Sequence, residues 1–178
     1  MSLSAAIFIS HFKDKSLNSW EKNLLSFIHT LINKIYGNEI TFYKSEELKT
    51  DDELREAVKK SEAFVIFLNE NYSKSTESLN ELSIIKDEVE NSNKKIFKIL
   101  KKEIQISKQP DFLKPYFSYN FFYKANLPED QHSLIEKNIV DIERLYWTKL
   151  TDLVFDLRFA LSSEADSAKS HYYIYLAE

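Results

Sequence analysis

The chain has 178 residues, of which 43% are hydrophobic and 29% are charged, and its formal net charge at pH 7 is -4. This length and apolar content predict one domain with one core, because two full domains would need a longer chain. The slightly acidic balance argues against nucleic acid as a direct ligand, since phosphate backbones are bound by a surplus of Lys and Arg.

The inventory of residue types excludes several kinds of site. The chain has no cysteine, which excludes disulfides, thiolate metal sites and cysteine nucleophiles. Gly37 is its only glycine. The dinucleotide-binding motif G-x-G-x-x-G and the P-loop each need several glycines. Dinucleotide-dependent oxidoreductases and P-loop NTPases are therefore excluded. The histidines lie far apart without an HxxxH pair, so no metal site is expected: His11, His29, His132 and His171.

No segment of the sequence resembles a signal peptide or a membrane span. The N-terminus lacks a cationic stretch followed by a sustained apolar run. The longest apolar stretches are about as long as a strand, well short of the roughly 20 residues that cross a bilayer. We therefore expect a cytoplasmic protein without membrane attachment.

The beginning of the chain predicts a strand followed by a helix. Residues 5–10 (AAIFIS) form a continuous apolar run, which is typical of a central strand buried on both faces. Apolar residues then recur from Trp20 to Ile35 at the spacing of one helix face. Gly37 suits the position just after a helix, so we expect the first helix to end there.

The alternation of strand and helix continues through the middle of the chain. Residues 39–43 (EITFY) predict a second strand, and residues 50–53 (TDDE) have the form of a capping box that opens a helix through Lys60. Residues 63–68 (AFVIFL) predict a third, buried strand. The next helix is indicated by apolar residues at helical spacing: Leu79, Leu82, Ile85 and Val89.

Two more strands and a long helix are predicted in the second half of the chain. Residues 95–100 (KIFKIL) and 119–123 (YNFFY) are both strand-like. Pro110 and Pro115 interrupt the segment between them, so only a weak helix is expected there. Residues 133–161 are expected to be helical, with a stripe of leucines facing the core: Leu145, Leu150, Leu153, Leu157 and Leu161.

Five buried strands alternating with about five amphipathic helices predict an α/β fold. The expected architecture is a parallel sheet with helices on both faces, joined by right-handed crossovers. Ligands of such sheets bind beyond the carboxyl ends of the strands. In this sequence those ends are residues 10–11, 43–44 and 68–78.

The domain is predicted to occupy residues 1–162. Beyond it the sequence becomes small and polar (SSEADSAKS), like a linker, and then HYYIYLAE resumes a strand-like pattern. We interpret residues 163–178 as a linker leading into a truncated C-terminal region. The alternative, a terminal strand or arm of the same domain, is equally consistent with the pattern.

Aromatic residues are concentrated before and within the fifth predicted strand. They could be interpreted as a base-stacking platform, but no basic stripe accompanies them. Trp20 and Trp147 belong to predicted amphipathic helices and are expected in the core. Core or near-core packing is likewise expected for the cluster: Phe112, Tyr116, Phe117, Tyr119, Phe121, Phe122 and Tyr123.

Several of these segments together resemble a known family. The first strand ends in Ser10-His11 and is followed by Asp14, the third strand reads AFVIFL, and the sequence NYSKSTESLNEL comes after it. In this order, over residues 5–161, they resemble the TIR (Toll/interleukin-1 receptor) domains of bacteria. Five residues match the family pattern in identity and spacing: Asn71, Tyr72, Ser75, Glu81 and Leu82.

The resemblance implies a flavodoxin-like three-layer sandwich around a five-stranded parallel sheet. Enzymatic TIR domains cleave the nicotinamide–ribose bond of NAD⁺, giving nicotinamide and ADP-ribose or a cyclic ADP-ribose isomer, and Glu81 stands at the position of their catalytic carboxylate. NAD⁺ would then be the substrate, with no cofactor and no metal. The implied substrate-binding residues are Ser10, His11, Phe12, Lys13, Tyr43, Lys44, Ser45, Tyr72, Ser75 and Ser78.

The resemblance also implies partners and a setting. TIR domains associate with copies of themselves, and they act as effector or signalling modules in longer bacterial defence proteins. We therefore expect self-association through TIR–TIR contacts and further domains in a longer parent chain.

Departures from the family pattern leave other functions open. Glu77 stands where the family has an aromatic residue, Ser78 stands where it has a cysteine, and residues 44–49 lack the usual glycine. A non-catalytic TIR–TIR assembly module is therefore the main alternative, and another flavodoxin-like nucleotide-processing domain is a third. Glu81 itself could simply be an acidic residue in a first helical turn, where it favours the helix dipole.

Overall fold

Strands and helices alternate along the chain in the computed structural model, which describes residues 5–12, 17–36, 40–122 and 135–161, without the side chains of Tyr36 and residues 135–142. The described strands are β1 (Ala6–Ser10), β2 (Thr41–Lys44), β3 (Ala63–Leu68), β4 (Lys95–Leu100) and β5 (Ser118–Asn120). The described α-helices are α1 (Ser19–Tyr36), α2 (Asp51–Lys60), α3 (Thr76–Glu90) and α4 (Ile135–Leu161).

The strands form one parallel sheet in the order β2-β1-β3-β4-β5, which is the flavodoxin-like order. The predicted fold class is therefore confirmed. The register pairs Ile9 with Lys44 of β2 and Ser10 with Ile66 of β3. This places the carboxyl ends of β1, β2 and β3 at one edge of the sheet, where the sequence predicts the functional site.

The sheet is buried on both faces because helices cover each of them. Alternation along β3 directs Val65 toward α1 and α4, and directs Phe64 and Ile66 toward α2 and α3. The continuous apolar runs of β1, β3 and β4 follow from this two-sided burial. Edge strand β2 has only half-buried or exposed residues.

The connection from β4 to β5 contains two single turns of 3-10 helix, Ile106–Lys108 and Asp111–Leu113. The weak helix expected here takes the form of these two short turns, so the described residues contain four α-helices where about five helices were expected. Pro110 is the cause, because proline lacks the amide donor and its ring disfavours helical geometry in the preceding residue.

Two side chains of the α4 region lie farther from the core than predicted. Leu145 is 46% exposed and Trp147 is 47% exposed. Leu145 precedes Leu150 by five residues, which rotates it about 140° away from the leucines that face the sheet. The Trp147 ring lies at the margin of the α1–α4 contact, 5.4 Å from the ring of Phe27. Phe117, also predicted near the core, is 76% exposed.

A buried lysine holds the β4–β5 connection against the sheet. Lys98 of β4 is 2% exposed, and its Nζ donates hydrogen bonds of 2.8 Å to Gln109 Oε1 and to the carbonyl of Leu113. Gln109 Nε2 in turn donates to the carbonyl of Ile104. Burial lowers the pKa of the Lys98 amine. The segment lacks regular structure, so these bonds satisfy carbonyls that would otherwise be buried without a donor.

Replacing Lys98 with Ala is expected to lower the free energy of unfolding by about 3 kcal/mol, because it leaves two buried acceptors without a donor and opens a cavity. Urea unfolding followed by circular dichroism would measure the change. The matched control is Lys95→Ala, an exposed residue of the same strand, which should cost less than about 0.5 kcal/mol. Equal effects of the two substitutions would contradict the anchoring role of Lys98.

Candidate functional site

Three polar side chains meet near the carboxyl edge of the sheet. The Ser10 hydroxyl at the end of β1 lies 2.8 Å from the Tyr72 hydroxyl, in a buried hydrogen bond. Tyr72 follows β3, and Glu81 lies on α3, which comes next. Burial raises the pKa of Tyr72, and the nearby charge of Glu81 raises it further, whereas the Ser10 hydrogen bond acts in the opposite direction. Ser10, Tyr72 and Glu81, all expected from the sequence, thus form one cluster.

Glu81 belongs to the face of α3 that packs against the sheet. The buried residues of this helix are Ser78, Glu81, Leu82 and Ile85, spaced as one helix face. Glu81 is the sixth residue of the helix, whereas the acidic residue of its first turn is Glu77. Because the dipole effect falls off within the first turn, it does not account for Glu81.

The carboxylate of Glu81 is shielded from solvent. Glu81 is 0% exposed, and both carboxylate oxygens are inaccessible. Burying a carboxylate costs several kcal/mol in desolvation before any compensating interaction is counted. In this conformation the carboxylate therefore faces neither an open cleft nor open solvent, and a ligand could reach it only after the surrounding side chains move.

The start of α3 is fixed by local hydrogen bonds. Ser75 is the N-cap, and its hydroxyl accepts a 3.2 Å bond from the amide of Ser78 and donates a 3.1 Å bond to Glu77. The amide of Tyr72 donates to Asn69 Oδ1 at 2.8 Å. Ser75 therefore caps the helix, and the connection from β3 to α3 orients both Tyr72 and Glu81.

The segments after β1 and β2 contribute rings to the same side of the sheet. Phe12 and Tyr43 pack against the hydrophobic cluster that contains Tyr72 and Leu82. Both rings are partly buried. Expected site residues Phe12 and Tyr43 thus lie on the α2–α3 side, as Glu81 does.

Lys44 and Lys13, two further expected site residues, are not among the side chains that the structure shows on the side of Glu81. Lys44 lines a depression of about 420 Å³ with Lys22 and His29 of α1, and its ammonium pairs with Glu47 at 2.8 Å. It lies next to Tyr43 on a strand, so its side chain points to the other face of the sheet. The expected site residue Lys13 lies outside the described residues.

Glu46 links the segments that follow β1 and β2. Its Oε2 accepts a 3.0 Å hydrogen bond from the amide of Leu17 and lies 3.8 Å from Nε2 of the buried His11. The neighbouring Ser45 is also buried. Sequence reasoning missed Glu46, because no local pattern connects it with partners so distant along the chain. The expected residues His11 and Ser45 are thus both buried where the segments after β1 and β2 meet.

Neither a metal cluster nor a bilayer-crossing helix is found where the structure describes the chain. No group of three or more His, Asp or Glu side chains is arranged to hold a metal ion within residues 5–12, 17–36, 40–122 and 135–161. Within these same ranges, none of the helices combines the length and apolarity that a bilayer crossing needs.

Alkaline pH should reveal the burial of Tyr72. In the unfolded chain tyrosine ionises near pH 10, whereas the raised pKa keeps folded Tyr72 protonated to higher pH. The folded state then binds more protons, so its stability falls as the pH rises above 10, by at most about 1.4 kcal/mol per pH unit for one tyrosine. Tyr72→Phe should flatten this decline in urea unfolding between pH 10 and pH 11. Parallel stability curves for the two proteins would contradict the assignment.

The chain is similar to a known protein family and to solved structures. A family model described as TIR domain matches residues 10–109, which is more than half of the chain. Among solved structures, the chain is similar to the TIR domains in "Structure of the activated Roq1 resistosome directly recognizing the pathogen effector XopQ", with 20% identity and a TM-score of 0.44. That alignment covers 85% of this chain and 84% of the other. No curated protein matches.

Proposed function

The chain belongs to the TIR domain family, and on this premise we propose that it is an NAD⁺ glycohydrolase with Glu81 as its catalytic carboxylate. The observation that carries the proposal is the position of Glu81. A carboxylate lies on the sheet-facing side of α3, at the carboxyl edge of the sheet, where shielding it from water costs desolvation free energy. Charges buried at such cost are concentrated at functional sites.

One carboxylate is sufficient for this reaction. The bond between ribose C1′ and the nicotinamide nitrogen breaks, and its electron pair goes to the ring, so neutral nicotinamide leaves without needing a proton. The ribose becomes oxocarbenium-like, and a carboxylate facing it stabilises the positive charge. Water adds at C1′ and loses a proton, which gives ADP-ribose. Attack at C1′ by a nucleophilic group of the same molecule in place of water, with loss of the proton of that group, gives a cyclic ADP-ribose isomer.

The neighbouring side chains have matching roles in the proposal. The Ser10–Tyr72 hydrogen bond fixes the Tyr72 ring near Glu81, and in this proposal the ring supports the carboxylate. In this proposal the rings of Phe12 and Tyr43, which pack against the cluster that contains Tyr72, contact the nucleotide, and Lys13 pairs with its pyrophosphate. Because Glu81 is shielded, the side chains around it must move before NAD⁺ binds.

Self-association is the step that we propose to open the site. Contacts between TIR domains would shift the segment after β2, in a cytoplasmic effector or signalling protein of bacterial defence that has further domains. The proposed activity is then low for separate chains and higher for assembled ones. Binding energy between copies can shift a conformational equilibrium only by its difference between the two states.

The second candidate is a non-catalytic TIR–TIR assembly module. Two observations favour it: both Glu81 oxygens are inaccessible, and Glu77, at the position of the family's aromatic residue, is an exposed acidic side chain. An assembly module needs no access to Glu81, so the buried carboxylate would then have only a structural role.

An assay of nicotinamide release distinguishes the two candidates. The purified 178-residue chain is incubated with NAD⁺ over a range of protein concentrations, with light scattering recording its assembly and chromatography its products. We expect nicotinamide and ADP-ribose, or a cyclic isomer, with a specific activity that rises as assembly increases. Assembly without release of nicotinamide at any concentration would select the non-catalytic module.

A further inference from the structure

An exposed isoleucine in the β4–β5 connection is the first of two complementary features. Ile106 is 67% exposed, whereas Ile104 and Gln109 on either side of it are each 6% exposed. Gln109 accepts a hydrogen bond from buried Lys98 and donates one to the carbonyl of Ile104, so both sides of the turn are held against the sheet. Single exposed apolar side chains are common, so Ile106 indicates a contact only if a complementary surface exists.

The second feature is a depression of about 380 Å³ between the segment after β2 and helix α2. Its apolar part is formed by Tyr43, Leu48 and Ala57, which belong to the hydrophobic cluster on this face of the sheet or pack against it. Lys60 also lines the depression, and its ammonium pairs with the carboxylate of Glu56 at 2.7 Å. We call this surface the acidic depression, because carboxylates contribute much of its lining: Asp52, Glu53 and Glu56.

The two surfaces carry opposite charge. Residues 45–56, which lead into and form the acidic depression, contain six acidic and two basic residues, and all six acidic residues are exposed. Residues 101–114, which form the β4–β5 connection, contain two acidic residues and four lysines: Lys101, Lys102, Lys108 and Lys114. Opposite charges on two surfaces speed their encounter and disfavour wrong partners. A basic surface that carries an exposed apolar side chain is therefore a suitable partner for the acidic depression.

We propose that copies of this chain associate head to tail, with Ile106 of one copy in the acidic depression of the next. The lysines of the β4–β5 connection then face the carboxylates of the depression. An aliphatic anchor in a pocket with a polar rim is a stable arrangement for an interface. This inference rests on the self-association proposed above, and it does not depend on NAD⁺ cleavage.

The positions of the two surfaces in the fold favour a contact between copies over a contact within one chain. The strand order places β4 three strand spacings from β2, which is about 14 Å, and Lys98 holds the connection to β4. The contact joins two different surfaces. In a head-to-tail chain each copy uses its depression with one neighbour and its Ile106 with another, so association continues beyond a pair.

Sedimentation velocity of the full 178-residue chain tests the contact from both sides. Ile106→Asp removes the anchor, and Glu56→Lys reverses a charge of the depression. Both residues are exposed, so each variant should stay folded, which circular dichroism checks. Each change should raise the dissociation constant of self-association at least about 10-fold. The control Asp87→Lys reverses an exposed charge on α3 outside both surfaces and should leave the constant unchanged.

A mixture of the two variants separates this contact from other causes. The Ile106→Asp protein keeps an intact depression, and the Glu56→Lys protein keeps Ile106. Mixed in equal amounts, they should form pairs with a dissociation constant close to that of the unmodified chain, although neither associates alone. Folded variants that do not pair in the mixture would overturn the proposal. Undiminished association of either variant alone would overturn this contact but not self-association, whereas an unmodified chain that never associates would contradict both.

Discussion

Replacing Glu81 with Gln is expected to reduce the release of nicotinamide from NAD⁺ by at least about 100-fold, which is the usual loss when one electrostatic stabiliser of a transition state is removed. Gln keeps the shape of the side chain but has no negative charge to oppose the oxocarbenium-like ribose. The loss should appear in kcat more than in KM, because the charge acts on the transition state more than on bound NAD⁺. Initial rates measured over a range of NAD⁺ concentrations separate the two parameters.

The matched control for this prediction lies on the same helix. Glu77 is exposed in the first turn of α3, one turn before Glu81, so Glu77→Gln makes the same chemical change outside the cluster. Its activity should stay close to that of the unmodified chain. Thermal unfolding of both variants would show that each remains folded. An active Glu81→Gln protein, or equal losses in the two variants, would remove Glu81 from the mechanism.

Much of the fold is predictable from the sequence because the sheet is buried on both faces. β3 and β4 match their predicted bounds, and β1 differs by one residue, since continuous apolar runs leave little ambiguity. The edge strands were predicted less well. β2 begins two residues later than expected, and β5 ends at Asn120, because a strand paired on one side has a weaker pattern and earlier fraying.

The position of the candidate site in the fold was predictable from the sequence, but the burial of its carboxylate was not. Ser10, Tyr72 and Glu81 follow strands whose carboxyl ends must meet at one edge, so their proximity follows from topology alone. The complete burial of Glu81 depends on the rotation of α3, and apolar residues at both Leu79 and Leu82 leave that rotation ambiguous in the sequence. The contact of Glu46 with His11 depends on how two loops approach each other, which no local pattern encodes.

Glu81 can belong to the site only if the rotation of α3 about its own axis turns Glu81 toward the sheet. Substitutions of two leucines on this helix test that rotation. Leu82 is 4% exposed and Leu79 is 39% exposed, although both are leucines on one helix. Leu82→Ala should lower the free energy of unfolding by about 2 to 5 kcal/mol, because it leaves a cavity against the sheet. Leu79→Ala should cost less than about 1 kcal/mol, since its side chain is already partly in water.

Urea unfolding of the two variants gives this comparison directly, with the unmodified chain as reference. Leu79 precedes Glu81 by two residues, about 160° around the helix, whereas Leu82 is its immediate neighbour. A larger loss of stability for Leu79→Ala would show that the face of α3 that carries Glu81 is turned toward solvent. The carboxylate would then lie apart from Tyr72 and Ser10. The larger loss expected for Leu82→Ala would instead show that the carboxylate of Glu81 lies against the sheet. In that position its charge has its greatest effect on a ribose cation, because little water screens the interaction.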